Sequence, residues 1–176
     1  LTNAYQINDK FKHVISIFTA YTDFKNPFIT NYEKRYENTL GLRTFLEYVH
    51  SKENLKLNAQ LGVESAGTKT LVKNFDNNGG APAAMQASDW LKANQDFAFA
   101  RINFDINQKL LVELASSINF FNYKFERLSP TVTNMQERKF SNQFMPKVAA
   151  SYLINSAFTL RASISKGYSP PTIAEV

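Results

Sequence analysis

The sequence has no cysteine, only two histidines and six glycines, and no apolar run as long as a membrane helix. Without cysteine there are no disulfides, thiolate metal sites or thiol nucleophiles, and the chain suits passage through an oxidising compartment. A membrane helix needs roughly 20 consecutive apolar residues, so a helical membrane protein is excluded. A membrane barrel is not, because its strands show their apolarity at every second residue. The net charge is a modest +5, and the Lys and Arg residues are scattered rather than gathered into the patch that nucleic-acid binding requires. Nucleic acid is not an expected partner. No basic leader or apolar targeting segment follows Leu1, so any signal peptide is expected outside this sequence. The 176 residues carry enough apolar side chains to bury the core of one ordinary domain.

Period-2 alternation is what is present. Seven segments carry it: Phe11–Tyr21, Thr39–Val49, Leu55–Glu64, Phe97–Ile106, Leu110–Phe121, Phe144–Ile154 and Phe158–Lys166. In the third, Leu55, Leu57, Ala59, Leu61 and Val63 oppose Lys56, Asn58, Gln60, Gly62 and Glu64. The split recurs as Ala98, Ala100, Ile102 and Phe104 against Arg101, Asn103 and Asp105, and as Leu110, Val112, Leu114 and Ile118 against Glu113, Ser117 and Asn119. It returns as Val148, Ala150, Tyr152 and Ile154 against Lys147 and Ser151, and as Phe158, Leu160, Ala162 and Ile164 against Thr159, Arg161 and Ser163. Charge enters the apolar face only at strand ends, Asp96 and Lys166. An Arg or Lys on a lipid face near the bilayer centre costs about 2–4 kcal/mol, so this confinement is what a barrel wall requires. Tyr21, Tyr48 and Tyr152 fit its aromatic girdles.

The connections alternate in length. Short polar turns are expected at Asn8–Lys10, Ser51–Asn54, Asn107–Lys109 and Asn155–Ser156. Long irregular loops are expected at Thr22–Asn38, Ser65–Gln95, Asn122–Gln143 and onward from Gly167. Tight turns on one rim and long loops on the other is the outer-membrane barrel pattern, periplasmic and extracellular respectively. The predicted fold class is all-β, an antiparallel up-and-down meander of about seven to eight strands within a transmembrane β-barrel. A turn at His50–Glu53 would set Glu47 opposite Lys56, and a three-residue turn at Asn107–Lys109 would set Arg101 diagonal to Glu113.

The last strand runs into Gly167 and the Pro170-Pro171 pair, where pairing is expected to end because proline lacks a ladder donor. Here Ser165-Lys166-Gly167-Tyr168-Ser169-Pro170-Pro171-Thr172-Ile173-Ala174-Glu175 resembles the recurring S-x-G-aromatic-x-x-P-x-x-x-E barrel segment of TonB-dependent receptors. The preceding "MPKVAASYLINSAFTLRASISKGY" resembles the hairpin that leads to it, and "NTLGLRTFLEYV", "NFDNNGG" and "LASSINFFNYKFERL" are similar in pattern to mid-barrel strands and an outer loop. The resemblance implies a barrel of about 22 strands, plugged by a globular domain and importing a scarce nutrient such as a ferric siderophore. Residues 1–176 then form a partial barrel with no plug domain and no TonB-contacting box, an internal fragment. The implied partners are outer-membrane lipid, the TonB complex and plug through parts outside this chain, and a small chelate or glycan as cargo.

No catalytic set, cofactor or metal site is expected. His13 and His50 read as interface-level side chains, and Asp76 lacks the spaced carboxylates of a calcium loop. Glu47, Glu64, Asp105 and Glu113 are the residue type of a glycosidase pair, but nothing sets two of them across a cleft. With Arg43, Lys56, Arg101, Lys147 and Arg161 they read instead as a polar inner wall. For ligand contact the candidates are Phe75, Trp90, Tyr123, Phe125 and Arg127, aromatic surface and a cation on the long loops. The competing reading is a soluble β-sandwich or lipocalin-like ligand-binding module, in which the same stripes point into a core.

Overall fold

A computed structural model describes residues 1–169, so the part of the motif from Pro170 to Glu175, with the expected proline exit, lies outside the described residues. Nine strands form one antiparallel sheet. They are β1 (Thr2–Gln6), β2 (Phe11–Pro27), β3 (Asn31–Lys52), β4 (Leu55–Asn78), β5 (Ala81–Ile106), β6 (Leu110–Ser129), β7 (Gln136–Lys139), β8 (Gln143–Asn155) and β9 (Phe158–Ser165). Spatial order follows chain order, except that β7 pairs the upper part of β6 while β8 pairs its lower part. Six of the seven alternating segments lie wholly in a strand and the seventh does so up to Ser165, with Lys166 just past the end of β9, and β1 and β7 are additional. β1 and β9 stand at the two ends of the strand order, and the sheet stays open.

On the short-turn rim, side chains hold the reversals. Asn8 Oδ1 accepts from the amides of Lys10 at 2.9 Å and Phe11 at 3.0 Å. Asn155 Oδ1 does the same for Ala157 at 2.9 Å and Phe158 at 3.0 Å. Asn107 and Gln108 turn β5 into β6 with φ of 55° and 56°, a left-handed conformation that asparagine tolerates well. The β3–β4 turn corrects the expected register. β3 continues to Lys52, which pairs Leu55, so Lys56 faces Ser51 and Glu47 faces Gln60. The displaced register differs by an even number of residues, and such a slip keeps every side chain on its face. The apolar stripe therefore does not discriminate between the two.

The other rim is a larger correction, because the stretches expected as long loops are mostly strand. β2 and β3 are joined through residues 28–30, and β4 and β5 through Gly79 and Gly80, whose φ values of 60° and 93° suit a tight hairpin. Within Asn122–Gln143, β6 runs on to Ser129 and β7 pairs back onto it. β4 and β5 extend for 24 and 26 residues, against the roughly 9–11 that a membrane strand needs. The upper halves carry polar residues on both faces, so the backbone ladder continues after the alternation has gone.

The register assigns the faces. One face aligns Ile17, Leu42, Leu46, Leu61, Ala100, Ile102, Leu114, Val148 and Leu160 in cross-strand rows. Its members are open to their surroundings, Leu61 at 66% and Ile164 at 76% exposure. Ile102 and Leu114 are direct neighbours and still 36% and 41% exposed, so no closed apolar centre exists. The opposite face holds the buried residues Val14, Glu47, Thr70, Leu91, Asn119 and Tyr123. One face crowded and the other splayed describe a curved sheet, charged on its concave side and apolar on its convex side.

Candidate functional site

The concave face in its lower half is a ladder of ion pairs. Lys12 pairs with Glu47, which also accepts from Asn58 Nδ2 at 2.7 Å and Gln60 Nε2 at 3.1 Å. Arg43 pairs with Glu64 and stacks over Phe97 at 6.0 Å. Glu113 accepts from Arg101 at 2.6 Å and from Lys147 at 2.7 Å. The diagonal Arg101–Glu113 contact is the one that the three-residue turn predicts. Next to it a recess of about 480 Å³ opens, bounded by Arg101, Glu113, Lys147 and Arg161. Glu47, Glu64 and Glu113 are each held by a cation, while Asp105 on the same face forms no ion pair among the described residues and has a buried Oδ1 without a partner. Such a wall offers alternating charge to whatever fills the concavity.

Higher on the same face, β6 and β7 build an aromatic shelf. Successive inward positions of β6 are Phe121, Tyr123 and Phe125, and Phe140 closes on them, 5.3 Å from Phe121 and 5.6 Å from Tyr123. Tyr123 is 3% exposed and is the anchor of the group. Arg127, the next inward residue, donates to Asp89 at 2.7 Å and 3.3 Å, and this carboxylate holds the guanidinium charged more firmly than usual. Arg138 stands over Phe140 at 5.5 Å and has no carboxylate partner among the described residues.

Of the candidate ligand residues, Tyr123, Phe125 and Arg127 therefore share the concave face. Phe75 and Trp90 lie on the convex one. Phe75 faces Tyr32, and Lys34 Nζ sits 5.3 Å and 5.9 Å from the two rings. Trp90 faces Leu71 and Glu126 across its two neighbouring strands. Phe121, Arg138 and Phe140 also belong to the shelf, beyond the candidates that the sequence suggests. The alternation of "FFNYKFER" carries the β6 residues, but nothing in "ERKF" shows that it folds back onto β6. His13 bonds Thr44 Oγ1 at 2.7 Å on the convex face, and His50 faces Leu57. Among the described residues no group of three His, Cys, Asp or Glu is placed to hold a metal ion.

Single-layer curvature, an exposed apolar belt and a charged concavity together define a wall segment of a membrane β-barrel. A family model described as "TonB dependent receptor-like, beta-barrel" matches residues 1–176, and the chain belongs to that family of outer-membrane proteins. Among solved structures it is similar to the ferric citrate transporter FecA in the unliganded form. That match has a TM-score of 0.77 at 11% identity and covers 93% of this chain and 26% of that one. It is also similar to the siderophore receptor PiuA from Acinetobacter baumannii, with a TM-score of 0.65, 12% identity and coverage of 88% and 29%. A third is the alcaligin outer membrane receptor FauA from Bordetella pertussis, with a TM-score of 0.59, 12% identity and coverage of 92% and 33%. The chain thus spans a quarter to a third of these structures, which are receptors and transporters rather than enzymes. No curated protein sequence matches it.

Proposed function

We propose that residues 1–176 are one partial barrel domain, the wall of an outer-membrane receptor that imports a scarce nutrient, a ferric siderophore or similar chelate. The concave ladder from Lys12–Glu47 to Lys147–Glu113 faces the plug and permeation path, both contributed by other parts of the receptor. The TonB complex supplies energy through those same parts. The shelf of Tyr123, Phe125 and Phe140, with Arg127 and Arg138 beside it, meets the chelate at the extracellular mouth.

The observation that carries this reading is the placement of Arg138 over Phe140, on the concave face and at the end away from the short turns. Ferric chelates commonly combine negative charge with planar groups, and an unpaired guanidinium on an aromatic bed suits both. Phe75 and Trp90 face the other way and do not share that contact. The test is uptake of radioactive iron by cells lacking or carrying the full-length receptor, supplied with ferric citrate and a panel of ferric siderophores. Uptake of one chelate should require the receptor, and Arg138→Gln should weaken its binding about tenfold. If loss of the receptor leaves uptake of every iron chelate unchanged, iron import is refuted, and a glycan panel tests the remaining cargo class.

A further inference from the structure

Above the apolar belt, the convex face carries lysines in register. Lys69 pairs Lys92, and Lys92 pairs Lys124, so three ammonium groups project side by side from β4, β5 and β6. Further up, Lys25 pairs Lys34 and Lys34 pairs Lys73 in a second row of three. Like charges directly opposite on one face of a sheet repel. The carboxylates on this face give partial relief: Glu137 lies 3.8 Å from Lys124 and Asp23 lies 3.1 Å from Lys25. On the same face Glu126 stands in the next row up and Asp96 two rows down, and neither forms an ion pair with the first row. Lys69 and Lys92 have no anionic partner among the described residues.

The first row also lines a groove of about 660 Å³. Gly67 is in its floor, Lys69, Lys92 and Lys124 form a cationic side, and Leu40 and Met135 supply apolar surface. Leu40 is the last member of the apolar belt on β3 and faces Gly67 directly. Lys69 is two residues beyond Gly67, a rise of about 7 Å along the strand. The polar zone flanking the hydrocarbon core is about 5–8 Å deep on each side, so the lysine row stands at headgroup depth.

We infer that this groove is a binding site for the phosphate-bearing headgroup of a lipid in the outer leaflet. The ammonium groups of Lys69, Lys92 and Lys124 engage the phosphates, and Leu40 and Met135 lie against the start of an acyl chain. Charge complementarity and continuity with the belt select a lipid. A soluble anion would gain nothing from the apolar side, and an acidic protein would have to reach the membrane surface. The inference rests on the membrane placement of the sheet and not on the import of any chelate.

The test uses the full-length receptor in phosphatidylcholine nanodiscs containing either a bis-phosphorylated lipid A or the same lipid stripped of phosphate. Lipid retained after detergent extraction is counted by native mass spectrometry. The wild type should retain the phosphorylated lipid, and Lys69→Gln/Lys92→Gln/Lys124→Gln should retain at least about tenfold less. Neither protein should retain the stripped lipid, and excess inorganic phosphate should not displace the bound one. Equal retention by the Gln variant, equal retention of the stripped lipid, or displacement by free phosphate would each overturn the site. Should the Gln variant fail to insert, Lys69→Arg/Lys92→Arg/Lys124→Arg keeps the charge and must keep the lipid. Its loss of lipid while folded would also overturn the inference.

Discussion

Arg101 on β5 donates to Glu113 on β6 across 2.6 Å although the two are diagonal neighbours, Arg101 facing Ala115 and Glu113 facing Asn103. Lys147 reaches the second oxygen of Glu113 from β8, so one carboxylate ties three strands. Both cations are about half exposed, which limits each pair to about 0.5–1 kcal/mol. A double-mutant cycle with Arg101→Gln and Glu113→Gln, measured by urea unfolding of the receptor in vesicles, should give a coupling of that size that shrinks with salt. Zero coupling at low salt would show that the pair is not formed.

The two faces should answer oppositely to charge. Leu61→Arg, on the convex belt, should destabilise the barrel by about 2–4 kcal/mol in the same vesicles. Gln60→Arg, its neighbour in sequence but on the concave side beside Glu47, should change stability by less than about 1 kcal/mol. Equal costs would mean that the faces are misassigned.

Two glycines on the concave face make room for rings, and their substitutions should differ in rescue. A Cβ at Gly41 would overlap the outer atoms of the Phe18 ring, so Phe18→Ala should restore Gly41→Ala. A Cβ at Gly62 would stand 2.5 Å from the Thr44 carbonyl oxygen as well as 2.8 Å from Phe99 Cζ. Removing the ring leaves the backbone clash. Gly62→Ala should therefore cost about 1–3 kcal/mol with or without Phe99→Ala, read by thermal unfolding of the receptor.

Asn77 joins two outer hairpins, donating to the Phe28 carbonyl at 2.6 Å and accepting from the Gly80 amide at 2.7 Å. Asn77→Ala should loosen both tips by about 1–2 kcal/mol each. Limited proteolysis on intact cells should then cut at residues 28–30 and 79–80 several times faster, with the membrane-embedded strands unaffected.

The lower half of the sheet was legible because a bilayer forces a choice at every second residue. Leu57 and Lys56, or Ile102 and Arg101, cannot exchange faces without cost. The stripe does not fix the β3–β4 register, since pairing Glu47 with Lys56 or with Gln60 satisfies it equally. Above the belt both faces meet water, and runs such as Lys69-Thr70-Leu71-Val72-Lys73 lose their period although they remain strand. That is why hairpins were expected as loops, and why Phe75 and Trp90 were grouped with Tyr123. Side-chain parity separates them, and parity counts only once the strand is known to continue. The fold-back of Phe140 onto Tyr123 depends on a chain reversal with no hydrophobic signal of its own.

β4 pairs with β5 in constant register from Leu55–Ile106 to Asn74–Ala87, and this long two-stranded run has a mechanical consequence. With 24 residues at about 3.3 Å each, β4 extends for about 80 Å, more than half of it clear of the hydrocarbon. A slack tether would dissipate a tug at Gly79–Gly80 within a few bonds. Below the bulges at Asn74–Asn77 the continuous ladder should carry a displacement down to the rows of Arg101 and Glu64, which spin labels placed along β4 would register as correlated motion and would refute by moving independently.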